Sequence, residues 1–136
     1  MRLPYWGIEK EYQQNYVQEN IARFAVDFGG ANLVLGHHPH VLQGIEKYNG
    51  VYIIYSLGNF VFGGNKNPSD KYTMIVQMSF SFQNQDLYDT KINLIPATLS
   101  SVMSQNDYCP TVASQETSEI ILKRVLEHSK NFEYKN

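Results

Sequence analysis

The chain has 136 residues, with 11 basic and 13 acidic side chains and a formal charge of −2. That length holds one domain or part of one and excludes a complete large barrel. With 43% hydrophobic and 18% charged residues a packed core is expected, and near-neutral charge argues against nucleic acid as the main partner, since phosphate binding leaves a basic footprint.

In chain order, the first element is a predicted helix over residues 13–28. Tyr16, Val17, Ile21, Phe24, Ala25 and Phe28 recur at threes and fours, and Gly29-Gly30 ends it. Leu33-Val34-Leu35 reads as a short buried strand, followed by the loop His37-His38-Pro39-His40. Residues 41–47 and 51–55 flank Asn49-Gly50, whose tolerance of positive φ predicts a hairpin. Ser56 to Phe60 forms another loop, and 63–70 is a polar connection. Residues 72–82 alternate through Met74, Val76, Met78, Phe80 and Phe82, the period of a strand with one buried face, and 87–97 is its expected partner. Residues 98–115 read as a loop, and 116–132 as a closing helix. The fold class is therefore α/β or α+β, mostly antiparallel in its second half. No run approaches the ~20 apolar residues of a membrane helix. The opening residues lack a signal-peptide centre and read as a chain entered in mid-domain.

Three of four histidines fall within four residues at a strand end. Imidazole is the commonest side-chain ligand of transition metals, and a loop stiffened by Pro39 can aim two rings at one point. The competing reading is a polar turn with solvated histidines. Two such ligands do not complete a metal site. Glu9 and Glu11, two apart, would share a face on an extended segment and could bind a cation or act as a base; the plainer reading is an acidic helix start. Asn59, at a strand exit, could hydrogen-bond a ligand or simply fix a turn. Asp27, Asp70 and Asp86 read as surface or turn residues. Ser56 lacks a nucleophile-elbow context, and the single cysteine, Cys109, reads as an inert loop thiol.

The run from Gly30 to Glu46 (GANLVLGHHPHVLQGIE) resembles the signature of the CapA-type capsule biosynthesis proteins, which are linked to poly-γ-glutamate synthesis. Ile53 to Phe62 (IIYSLGNFVF) is similar to that family's next block, and Trp6-Gly7-x-Glu9 to its preceding one. The family in turn resembles the calcineurin-like metallophosphoesterases, a two-sheet sandwich flanked by helices. The resemblance implies that His38 and His40 are metal ligands, with His37 at a variable position, and that Glu9 and Asn59 lie beside them as catalytic or orienting groups. It implies a divalent ion (manganese, zinc or iron) at a site incomplete in this chain, so that binding in isolation should be weak or absent.

The resemblance also implies that residues 1–136 form one partial domain, the C-terminal half of such a sandwich. Tyr5 stands where the family usually carries histidine, and the blocks with the remaining ligands have no counterpart. The expected partners are a second copy or a missing N-terminal half, and a capsule polymer or phosphate-containing substrate at the cell envelope. The function implied for the complete protein is metal-dependent hydrolysis in capsule biosynthesis; the alternative is a non-catalytic binding or scaffold component.

Overall fold

The computed structural model describes residues 6–134. It contains two helices and two three-stranded, mostly antiparallel sheets, an α+β fold as expected. Helix α1 spans Tyr16–Asp27, and strands β1 (Leu33–Leu35), β2 (Ile45–Tyr48) and β3 (Val51–Ile54) follow. Their sheet has the order β1-β3-β2, with β1 parallel and β2 antiparallel to β3. Asn49 and Gly50 take φ of +48° and +83°, so the β2–β3 turn is the hairpin that this dipeptide specifies. Strands β4 (Tyr72–Gln83) and β5 (Asp86–Thr98) pair antiparallel through a bulge at Ser81/Phe82.

Two elements depart from the sequence expectation. Within the expected 98–115 loop, β6 (Thr111–Val112) adds to β5, two residues too few to show a period. Helix α2 (Gln115–Glu127) is capped by Ser114 and stops short of 132. Beyond it, Lys130 donates to Ile45 O and accepts from Lys47 N, so the chain exchanges helical bonds for ladder bonds along β2.

The first sheet is the middle layer, because alternate side chains of a strand point to opposite faces. Tyr52 and Ile54 enter a core with Leu42, Ile45, Met74, Leu94, Ile121 and Val125, under α2 and the second sheet. Ile53 and Tyr55 face the other way, into a core with Trp6, Ala22 and Val34 under α1.

Asn15 caps α1 in a capping box with Gln18. The apolar stripe of α1 does not face the core. Tyr16, Phe24 and Phe28 are 74%, 63% and 77% exposed, and Val17 and Ile21 are exposed with them. Gln18 and Ala22 are buried instead. Gln18 Nε2 reaches Gln43 Oε1 at 2.8 Å, and the small Ala22 lets the helix sit close to the sheet.

The α1 core holds one buried charge. Glu46 is 1% exposed, accepts from Arg23 Nη2 at 2.6 Å and Nε at 3.2 Å, and receives the Tyr55 hydroxyl at 2.5 Å. Burial, and then this carboxylate, push the Tyr55 phenol far above its ordinary value near 10. The folded state therefore keeps Tyr55 neutral where the unfolded chain ionises it. Its contribution is intact below pH ~10 and is lost above it, by about 1.4 kcal/mol per pH unit. Urea unfolding from pH 9 to 11 should show a shallower fall for Tyr55→Phe than for the parent; equal slopes would contradict this.

Candidate metal centre

The site lies where β1 ends. Gly36 N still donates to Ile54 O at 2.7 Å, and the chain then leaves the sheet as the His37–His40 loop. His38 and His40 take φ of +104° and +60°, conformations costly for residues with a Cβ, which the surrounding contacts must hold.

Residues 6–13 run past this loop as a strap. Trp6 N donates to His37 O at 3.3 Å and Lys10 N to Pro39 O at 2.8 Å, so Glu9 is bracketed by two backbone bonds to the histidine loop. The Trp6 indole donates to Tyr55 O at 3.0 Å and lies over Gly36, where no side chain would fit. Buried Gln43 pins the far end through Glu11 O at 2.8 Å and Gln13 O at 3.4 Å.

The result is a cluster of Glu9, His38 and His40, one ligand atom from each, all within 4.8 Å of one another. The His38 and His40 ring centres are 6.0 Å apart. Asn59 sits beside His40, its Oδ1 2.7 Å from Nδ1. The structure thus brings together all four residues singled out from the sequence: Glu9, His38, His40 and Asn59. Glu11, Glu9's sequence companion, is not in the cluster. His37 is not either; it lines a separate apolar depression with Leu57, Phe60 and Ile75, and burial lowers its pKa. Tyr5 lies outside the described residues.

Asp27 accepts from Tyr48 and Asn49 at the surface, and Ser56 Oγ accepts from Gly58 N, each a structural role. Cys109 is exposed in its loop.

The cluster opens into a cleft of about 280 Å³ whose walls include Lys10, Phe62, Asn65, Ser69 and Asp70. Sequence reasoning missed this wall. Phe62 packs on the His40 ring at 5.2 Å between centres. Asp70 accepts from Arg124 at 2.7 Å, and that guanidinium lies between the Tyr12 and Tyr72 rings. Buried Lys71 holds Asn67 Oδ1 and Pro68 O, and buried Asn106 holds Phe62 O and Asn65 O. The Lys71 bonds are local, but those of Asn106 span 41 and 44 residues, and nothing in the nearby sequence marks them.

Fold and cluster together define an α+β unit with two imidazoles and a carboxylate converging at a strand end. Residues 3–64, which contain every member of the cluster and Asn59, match the family described as bacterial capsule synthesis protein PGA_cap. The resemblance to CapA-type proteins read from the sequence falls within that stretch. Over 58 residues, 43% of this chain, it is 53% identical to the PGA biosynthesis protein CapA of Bacillus subtilis (strain 168) and 48% identical to the capsule biosynthesis protein CapA of Bacillus anthracis. An uncharacterized protein of Sinorhizobium fredii is 43% identical over 51 residues. The matches cover 15%, 14% and 11% of those proteins, so the chain spans a small part of the curated relatives' length.

Proposed function

We propose that Glu9, His38 and His40 hold a divalent metal ion, manganese, zinc or iron, and that the chain serves capsule or poly-γ-glutamate biosynthesis as part of a metallophosphoesterase-like hydrolase. The observation that carries this reading is the approach of the three ligand atoms to within 4.8 Å. Two histidines and one carboxylate with a position left open is also the donor set of a known class of catalytic zinc site. The names of the CapA relatives support the biosynthetic setting.

Bound there, an ion would polarise a phosphoryl oxygen or acidify a water. The chain's own groups shape what reaches it. Lys10 brings a positive charge to the cleft for an anionic substrate, and Phe62 keeps water from one side of His40.

Titration calorimetry with manganese or zinc chloride tests the centre. One site of modest affinity is expected, weakened at least tenfold by His38→Ala, His40→Ala or Glu9→Ala. No binding at millimolar metal, or binding unchanged in all three variants, would overturn it. Hydrolysis of a model phosphodiester would then separate the hydrolase from the second reading, a non-catalytic component of a capsule assembly.

The exposed α1 face favours that second reading and suits an assembly. Large apolar side chains exposed together on one helix face, here Tyr16, Val17, Ile21, Phe24 and Phe28, are a feature of interaction sites. In a purified sample the available cover is the same face of a second chain, joined about a two-fold axis. Sedimentation at micromolar concentration should give more than one chain's mass, and Phe24→Ser with Phe28→Ser should return the monomer. A compact parent of one-chain mass would dismiss the association.

A further inference from the structure

Asn59 touches His40 twice. Its Oδ1 lies 2.7 Å from His40 Nδ1, and its Nδ2 donates to the His40 backbone carbonyl at 3.3 Å. Each contact fixes the other. The carbonyl can only accept, so the amide must present Nδ2 to it, which leaves Oδ1 facing the ring. An acceptor at Nδ1 requires that nitrogen to carry the proton. Nε2 is then the unprotonated nitrogen of the neutral ring, the form a metal takes. The same two bonds brace the histidine's φ of +60°, and Phe62 closes against the ring.

We propose that Asn59 is a positioning residue: it locks His40 in the Nδ1–H tautomer and turns Nε2 toward Glu9 and His38, rather than acting on substrate itself. The consequence for metal affinity rests on the reading of the cluster as a metal centre; the consequence for the tautomer does not. Partners that orient a ligating histidine in this way contribute about 10- to 100-fold in affinity.

The test is long-range 15N–1H NMR of the histidine-labelled chain without metal, paired with zinc titration. In the parent, His40 should show a protonated Nδ1 and a bare Nε2. Asn59→Ala should give a tautomer mixture and a zinc affinity about 10- to 100-fold lower. Asn59→Asp gives up the bond to the His40 carbonyl but keeps an acceptor facing Nδ1, so it should still hold the proton on Nδ1. A parent His40 protonated on Nε2 overturns the proposal, as does a tautomer unchanged in Asn59→Ala. If Asn59→Ala does not fold, the parent spectrum and Asn59→Asp still decide. If the tautomer behaves as stated but zinc binding is unchanged in His38→Ala, His40→Ala and Glu9→Ala, the metal reading fails and the positioning role stands. If Glu9→Ala abolishes binding and Asn59→Ala changes neither readout, only the positioning role fails.

Discussion

Arg23→Ala is expected to destabilise the chain by about 3–5 kcal/mol, the range for breaking a buried ion pair from one side. Arg23 is partly exposed, but its partner is not: Glu46 is 1% exposed, with both guanidinium contacts on one oxygen. Without Arg23 the carboxylate keeps only the Tyr55 hydroxyl and no opposite charge within the pair. Glu46→Gln in the same chain should recover part of the loss, because the stranded charge is gone. Lys123→Ala is the control: its 4.0 Å pair with Glu127 is solvated and should change stability by less than ~0.5 kcal/mol. Urea unfolding midpoints read all three, and an Arg23→Ala midpoint close to that of the control would refute the argument.

Gly36→Ala should cost roughly 3 kcal/mol, from overpacking and a broken buried hydrogen bond. It should also weaken metal binding more than tenfold. A Cβ there would meet Tyr55 O at 2.2 Å and the Trp6 indole nitrogen at 2.3 Å. The carbonyl follows directly on a paired strand and cannot retreat, so the indole must leave. The strap then loses the anchor that places Glu9 beside the histidines. Gly63→Ala, with open space around it, should alter neither property. Normal zinc binding by a folded Gly36→Ala chain would show that the strap does not depend on Trp6.

What was legible in the sequence was what local chemistry dictates. Asn49-Gly50 announces its hairpin because few residue pairs accept two positive φ values. The long strands show because Met74 and its neighbours alternate in a period of two. The histidine loop and Asn59 were visible as unusual residue types at strand exits. Other features depend on what lies across the fold. Periodicity identifies the apolar stripe of α1, but the side that meets the sheet was settled by Gln18 reaching Gln43. The end of α2 was lost to pairing between Lys130 and Ile45, 85 residues away, and the cleft wall hangs on Asn106 and on the Arg124–Asp70 pair. Glu9's place beside the histidines comes from two backbone bonds that no spacing rule foretells.

Trp6 is the single tryptophan among ten tyrosines and seven phenylalanines. Ultraviolet light absorbed by the tyrosines can therefore pass to one indole, and that indole sits at the root of the strap, buried against Tyr55 and three positions before Glu9. Intrinsic fluorescence of this chain is consequently a single-site signal. A seated strap should emit in the blue, as an indole shielded from water does, and a displaced one should shift to the red even where the rest of the fold is unchanged. The protein carries its own optical gauge of whether the carboxylate is in reach of the histidines, readable without a label and at concentrations far below those that calorimetry needs.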